Sequence, residues 1–226
     1  MGKTVDNFPA RASRRGEPPW ELTYGEQMSL EKLATLPLQG DWTVDDYLAL
    51  PEDGRMIEFN EGMLEFVPMP DWMHQELSAL LWQYLRSIYI DGKKGRAVLP
   101  PFFLQTAGLK YREPDVMFLA PKNLRHFDRK KWRYADLVVE IISASDPDRD
   151  DVDKRVEYAV AGLPEYWLID PDAETIEVLT LDAAGAYHGP PPVPLAGVVR
   201  SVTIPEIVVD FADLLRQVRE SENIQP

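Results

Sequence analysis

One short run, LVVEII at residues 137–142, constrains the fold more than any other part of the sequence. Its residues are apolar and mostly β-branched, except for one carboxylate, Glu140. Strands that are buried on both faces have this composition, and they lie in the interior of sheets that helices cover. Because an unpaired charge is costly in such a strand, the glutamate is expected to have a partner. The run therefore predicts a central strand that carries one functional side chain.

The elements next to this run predict an α/β fold. A helix is expected over residues 151–161, ending at Gly162, and a strand over residues 166–169. Strand, helix and strand then form a βαβ-like unit. Earlier in the chain, Asp71 precedes a helix whose apolar residues recur at the i, i+3, i+4, i+7 spacing. The expected architecture is a mixed β-sheet flanked by helices.

The remaining elements complete one domain. A hairpin is expected around the turn Asn60-Glu61-Gly62, a short capped helix after Thr43, and a last helix from Asp210. The other expected strands lie at residues 97–99, 102–106, 115–119, 175–181 and 198–204. A chain of 226 residues is long enough for one sizeable core and short for two. We predict an N-terminal arm over residues 1–41, which lack periodicity, and one domain over residues 42–226.

Composition excludes several classes of function. The chain has no cysteine, so disulfides, thiolate zinc sites and cysteine nucleophiles are excluded, and it has only three histidines. The sequence has neither an apolar signal segment nor a run of 18 apolar residues. A cytoplasmic protein without a membrane partner is expected. A homo-oligomer, with a dimer as the favoured form, is also expected.

The charge distribution bears on nucleic-acid binding in two opposite ways. The formal net charge is −14, which opposes binding to a phosphate backbone. Residues 122–133 are locally basic, however, with six basic residues against Asp128 alone. Within them, Arg129, Lys130 and Lys131 are the predicted DNA contacts. The same run also fits a solvated loop, and a smaller basic cluster lies at residues 93–96.

Two carboxylates are spaced for metal chemistry. Asp115 follows a proline at the start of one predicted strand, and Glu140 lies inside another. Two carboxylates on adjacent strands suit a hard divalent cation such as Mg²⁺, or Mn²⁺, which can activate water against a phosphodiester. Lys154 on the following helix is placed to orient that water or stabilise the transition state. Glu58 in the hairpin is a further acidic candidate.

Each of these residues also has a purely structural interpretation. Asp115 fits a turn cap and Lys154 fits an exposed helix lysine, and for Glu58 a purely structural role is the favoured interpretation. His74 is interpreted as a hydrogen-bonding residue at a helix start rather than a ligand. The aspartates of residues 146–153 lack the spacing of a calcium loop, so a solvated loop is the favoured interpretation.

Six motifs occur in order along the chain: MIEFNEG, His74-Gln75, REPDVMFL, LVVEIIS, KRVEY and GLPEYWLIDP. Together they resemble the restriction-endonuclease-like Uma family of the PD-(D/E)XK superfamily, over roughly residues 42–181. The resemblance implies a restriction-endonuclease-like core and a metal-dependent DNA endonuclease in which Asp115 and Glu140 are metal ligands. It also implies that Lys154 supplies the motif lysine and that Glu58 is an auxiliary acid.

The sequence departs from that pattern at two places. The simple motif has a lysine two residues after the acid, where this chain has Ile142, so the lysine must come from the next helix. The hairpin turn of relatives reads Asp-Gly-Glu, whereas here it reads Glu61-Gly62-Met63. The second departure weakens a role for the turn and leaves Glu58 unaffected.

Two other functions compete with the nuclease. A catalytically silent nuclease fold used for binding or assembly is favoured by the net charge of −14. A glycosidase-like carboxylate pair is also compatible with two acids in one cleft, although no sequence feature marks a sugar platform. The first alternative differs from the nuclease in whether Asp115 and Glu140 hold a metal.

Overall fold

A computed structural model of the chain describes residues 36–50, 55–142 and 153–222. Most of the predicted arm and the aspartate-rich segment that follows Ile142 lie outside these residues. The described end of the arm contacts the body, because the amide nitrogens of Gly40 and Trp42 donate to the carbonyl oxygen of Gly62. The division at residue 41 stays a prediction.

The described residues contain four α-helices and sixteen short strands. The helices are Val44–Leu48 (α1), Trp72–Ser87 (α2), Lys154–Val160 (α3) and Phe211–Glu222 (α4). The first eight strands are Ile57–Asn60 (β1), Met63–Phe66 (β2), Tyr89–Ile90 (β3), Lys93–Lys94 (β4), Arg96–Val98 (β5), Phe103–Gln105 (β6), Lys110–Arg112 (β7) and Val116–Leu119 (β8). The last eight are Lys131–Trp132 (β9), Leu137–Ile141 (β10), Glu165–Asp170 (β11), Thr175–Leu181 (β12), Tyr187–His188 (β13), Val193–Pro194 (β14), Val198–Arg200 (β15) and Val208–Asp210 (β16).

Two larger sheets carry most of these strands. The central sheet has the order β13-β12-β11-β10-β8-β5, with β14 also paired to β12, and the second sheet has the order β2-β1-β7-β6-β9. In the central sheet β10 and β11 are parallel, whereas β8 is antiparallel to β10. The predicted mixed sheet, the βαβ unit and the interior position of the LVVEII strand are confirmed.

The central strand is buried because both faces of its sheet are covered. Val139 packs in a core that includes Leu77 and Leu81 of α2. Val138 packs on the opposite face with Tyr158 of α3 and Tyr166. The helix after Asp71 is also confirmed, and the Asp71 side chain caps it by accepting a hydrogen bond from the backbone nitrogen of His74. None of the helices in the described ranges is long and apolar enough to cross a membrane.

Several short strands escape sequence-based prediction. β7 occupies Lys110–Arg112, and β3 and β4 form a hairpin of two-residue strands around Asp91 and Gly92. Strands this short contain too few residues to show the alternation of apolar and polar side chains that marks a strand. The expected strand over residues 198–204 stops at Arg200, and β14 falls within the expected loop of residues 189–194.

Helix α3 connects the two larger sheets. On one side Tyr158 packs edge-on against Tyr166 of β11, with ring centroids 5.4 Å apart. On the other side Glu157 accepts hydrogen bonds from Arg112 of β7 in the second sheet. Helix α3 therefore brings side chains from both sheets together where β8 begins and β10 ends.

Candidate active site

Asp115 and Glu140 occupy neighbouring positions at one end of the β8–β10 pair. In the antiparallel register Val116 lies opposite Val139, so that continuing it by one residue brings Asp115 opposite Glu140. Residues in such positions have Cα atoms roughly 4.5–5.5 Å apart. Both side chains are buried, with 7% and 2% of their residue surfaces exposed. The two carboxylates predicted from the sequence thus start from adjacent strands at the same sheet edge.

The Asp115 carboxylate is held from two directions. Its Oδ2 accepts a 2.7 Å hydrogen bond from the backbone nitrogen of Ile141 and lies 3.2 Å from Nε2 of His74. Within the described part of the chain, Oδ1 of Asp115 has no hydrogen bond, and it is not among the fully buried unpaired atoms. One oxygen of Asp115 is therefore fixed, and the other is available to a ligand.

His74 contributes to the site in a way that the sequence did not reveal. Burial acts to lower the pKa of His74, but the hydrogen bond and charge of Asp115 outweigh it and raise that pKa above its ordinary value. Nδ1 of His74 is buried without a partner in the described residues. The position of His74 in the first turn of α2 pointed only to a helix-start hydrogen bond, because a contact to a distant strand has no signature in the sequence.

Glu140 is held by two side chains of α3. Lys154 places Nζ 2.9 Å from Oε2 of Glu140, and the Tyr158 hydroxyl donates to Oε1 at 2.5 Å. Burial, followed by the charge of Glu140, raises the pKa of Tyr158 well above its ordinary value, so the hydroxyl keeps its proton. Residues four apart share a helix face, which is why both side chains reach the same carboxylate.

Glu58 lies on the second sheet beside the same lysine. Its Oε1 is 4.0 Å from Nζ of Lys154 and accepts a hydrogen bond from the backbone nitrogen of Glu113. Its Oε2 accepts from Nη1 of Arg112 at 3.0 Å. The four predicted site residues therefore form one connected region, in which Lys154 links the Glu140 and Glu58 carboxylates.

Arg112 is the centre of a buried ion network next to this region. Its guanidinium donates through two nitrogens to Glu157 of α3, at 2.8 and 2.6 Å, and through Nη1 to Glu65 at 2.6 Å. Lys110 also contacts Glu157, at 2.9 Å. The network fixes α3, and hence Lys154, against the second sheet. It was not predicted, because the short strand that carries Arg112 was not.

Glu113 is a buried carboxyl of this region whose pKa is raised. Burial, followed by the charge of Glu58, raises the pKa of Glu113 to about 7. Its Oε2 is buried without a hydrogen-bond partner in the described residues. A raised pKa means that the folded chain retains this proton between about pH 4.5 and 7, where the unfolded chain releases it. The free energy of unfolding therefore falls as pH rises through that window.

Replacing Glu113 by glutamine should remove this loss of stability. A shift from 4.5 to about 7 corresponds to up to about 3 kcal/mol, so Glu113→Gln is expected to stabilise the protein at pH 8 and to have little effect at pH 5. Urea unfolding at the two pH values measures the difference. The exposed Glu206 provides the control as Glu206→Gln. A Glu113→Gln effect equal at both pH values would contradict the raised pKa.

The donors at this sheet edge suit a hard divalent cation. Asp115 offers a carboxylate oxygen without a hydrogen bond, and Glu140 offers a second carboxylate at the opposed position. Mg²⁺ binds through one or two carboxylates and keeps several waters. In the described ranges no group of three or more acidic, histidine or cysteine side chains is arranged around one point for a metal ion. The two carboxylates would therefore need water or substrate oxygens to complete the coordination.

Other buried carboxylates in the chain have a different environment. Glu165 accepts from the backbone nitrogens of Val202 and Thr203 and from nearby hydroxyl and indole donors. Asp136, at the other end of the β8–β10 pair, accepts from the backbone nitrogen of Ala120 at 2.7 Å. Both hold loops in place through neutral donors. Glu140 differs because its partners are a lysine and a tyrosine on one helix.

The predicted DNA contacts lie on the segment that includes β9. Arg129 and Lys130 are exposed, while Lys131 is partly buried. Nζ of Lys131 donates to the Tyr111 hydroxyl at 2.9 Å and lies 4.9 Å from the centre of that ring. Arg129 and Lys130 are thus accessible to a phosphate backbone, whereas Lys131 supports the second sheet.

Comparison with known proteins identifies relatives. A family profile described as "Uma2: Putative restriction endonuclease" matches residues 44–212. A crystal structure described as a "putative nuclease belonging to DUF820" from Anabaena variabilis ATCC 29413 is similar to this fold, with a TM-score of 0.63 and 21% sequence identity. The similarity covers 78% of this chain and 99% of that chain, and at this identity it shows the fold alone. No curated protein matches the sequence.

Proposed function

Because this chain belongs to the Uma2 family, described as "Putative restriction endonuclease", we propose that it is a metal-dependent endonuclease that hydrolyses phosphodiester bonds in DNA. The proposed metal ligands are Asp115 and Glu140, with Mg²⁺ or Mn²⁺ as the ion. Lys154 and Glu58 complete the proposed catalytic set. The family resemblance and the mixed α/β fold predicted from the sequence are both confirmed.

The observation that carries the proposal is the buried pair of Glu140 and Lys154. A carboxylate and an ammonium 2.9 Å apart inside a protein cost desolvation free energy, and apolar residues often stabilise a core as well or better. Buried titratable groups with a specific charge partner are candidates for functional sites. Here the pair lies beside Asp115, which has one oxygen free of hydrogen bonds in the described structure. A catalytic role at this end of the β8–β10 pair accounts for both the buried charge pair and the Asp115 oxygen without a hydrogen bond.

The side chains of the site have separate roles in this proposal. A divalent cation, when bound, would activate water and stabilise charge on the scissile phosphate. His74 and the Ile141 amide orient Asp115, so that its second oxygen faces the ligand. Tyr158 keeps its proton and fixes the rotamer of Glu140. Lys154 supplies positive charge where negative charge develops, and Glu58 limits where Nζ of Lys154 can lie.

Replacing Lys154 by methionine tests its role. The change keeps the length of the side chain and removes its charge, so the cleavage rate is expected to fall by about 10²–10³-fold. Plasmid nicking under single-turnover conditions with saturating Mn²⁺ measures it. Lys110→Met is the matched control, because Lys110 also contacts α3 through Glu157 without reaching Glu140. Full activity in Lys154→Met would remove the proposed role.

A second candidate function is a catalytically silent nuclease fold used for binding or assembly. It is favoured by the engagement of both Glu140 oxygens, one by Lys154 and one by Tyr158. It also fits the net charge of −14. In this case, neither Mg²⁺ nor Mn²⁺ would bind, and a dimer would be the functional form. The proposed homodimer, the cytoplasmic location and the arm over residues 1–41 apply to either candidate.

A further inference from the structure

The basic residues of the chain are concentrated in two segments. Residues 86–96 and 122–133 together contain ten of the 24 basic residues but only two of the 38 acidic residues, Asp91 and Asp128. The rest of the chain is therefore strongly acidic.

The fold brings these two segments into contact. Strand β5 in the first segment carries Arg96, whose guanidinium carbon lies 5.9 Å from the centre of the Phe127 ring in the second. Within the first segment, Nζ of Lys94 lies 5.7 Å from the centre of the Tyr89 ring. Both rings are exposed, Tyr89 by 63% and Phe127 by 43%. These cation–π contacts hold basic groups at the protein surface, where they can contact phosphate oxygens.

The first segment is held close to the central sheet. A Cβ added at Gly95 would lie 2.4 Å from Cζ of Phe118, so only glycine allows this approach. Lys93 and Arg96 are exposed on either side of this contact. In the second segment the exposed basic residues lie in and after the 3₁₀ helix Pro121–His126 that follows β8, and they are Lys122, Arg125, Arg129, Lys130 and Arg133. Exposed basic side chains from both segments therefore lie beside the central sheet.

The distance between this basic surface and the candidate active site can be measured along β8. Arg96 lies opposite Leu119 at the end of β8, and Asp115 precedes the start of the same strand. Four residues of strand span about 13 Å. A DNA duplex rises 3.4 Å per base pair, so this distance corresponds to about 4 base pairs for a duplex that lies along β8.

We propose that the hairpin of β3 and β4, with Arg96 and the exposed basic residues after β8, forms one surface that binds the DNA phosphate backbone about 4 base pairs from the scissile bond. The identity of the ligand as DNA rests on the proposed function. Charge complementarity carries the assignment, because the surface is basic on an acidic body. The surface anchors the duplex, while the acidic remainder repels it and confines binding to one side of the site.

Salt dependence of DNA binding tests this surface separately from catalysis. Fluorescence anisotropy of a labelled duplex in EDTA across a KCl series gives the slope of log affinity against log salt. The double variant Lys93→Gln/Lys94→Gln should reduce the slope by up to about 1.8, since each lost phosphate contact contributes about 0.9. Affinity should fall by up to about 60-fold at ~0.1 M salt. Arg129→Gln/Lys130→Gln should have a similar effect.

Arg200→Gln/Arg216→Gln is the matched control, because it makes the same change in net charge at exposed residues outside the surface. It should keep the wild-type slope. The proposed DNA-binding surface would be contradicted if the slope fell equally in all three double variants, or if the hairpin variant kept the wild-type slope. It would also be contradicted if the wild-type protein showed no salt-dependent binding. Metal-dependent plasmid cleavage by the wild-type chain is a separate readout, so either idea can fail while the other stands.

Discussion

Replacing Asp115 by asparagine should lower the rate of DNA cleavage by at least about 10³-fold while the protein stays folded. Asparagine keeps an oxygen that can accept from the Ile141 nitrogen, so the end of β8 retains its contact. The change removes the negative charge that would bind the cation. Loss of several kcal/mol of transition-state stabilisation corresponds to such a factor, at 1.36 kcal/mol for each tenfold change in rate.

Asp136→Asn is the matched control for this prediction. Asp136 is also a buried aspartate of the β8–β10 pair, and it accepts from a backbone nitrogen, that of Ala120, at the opposite end. The same chemical change there should alter stability without altering cleavage. If both variants lost activity to the same extent, or if Asp115→Asn kept it, Asp115 would be a structural residue like Asp136.

Replacing Arg112 by methionine should destabilise the protein by about 3–5 kcal/mol. The change leaves Glu58, Glu65 and Glu157 without the cation that they share, and Glu58 is almost completely buried. Removing one partner of a buried ionic network costs this much because the remaining charges stay desolvated. Urea unfolding measures the effect.

Arg155→Met provides a comparison on the same helix. Arg155 pairs with Glu177 at 3.2 Å, but its side chain is 30% exposed, and pairs exposed to solvent contribute about 0–1 kcal/mol. The two variants therefore remove the same charge from different surroundings. Equal unfolding free energies for Arg112→Met and Arg155→Met would show that burial of the Arg112 network has no energetic consequence.

The central architecture could be predicted because it depends on long apolar patterns. The LVVEII strand, the helix after Asp71 and the parallel βαβ unit each occupy the predicted place. The second sheet was less predictable, since β7 and β9 are two to three residues long and form through pairing with distant strands. Such pairing is determined by tertiary contacts rather than by local propensity.

The residues of the candidate site were proposed from their types and places in the sequence, whereas most of their contacts were not predicted. The glutamate in an apolar strand indicated a functional carboxylate, and Lys154 on the next helix was a reasonable partner, 2.9 Å away. The contacts of His74 and Arg112 could not be predicted, because their partners lie on elements far away in the sequence. Arg112 begins the REPDVMFL motif, but that motif does not show which carboxylates the guanidinium contacts.

Calorimetric titration of Mg²⁺ or Mn²⁺ into the wild-type chain and into Asp115→Asn tests the central claim most directly. The claim is that Asp115 and Glu140 hold one divalent cation at the end of the β8–β10 pair. Wild type and Asp136→Asn should bind the metal with similar heats, whereas Asp115→Asn should bind at least about 10-fold more weakly. Equal binding by Asp115→Asn and wild type, or no binding by wild type, would contradict the claim and favour the catalytically silent module.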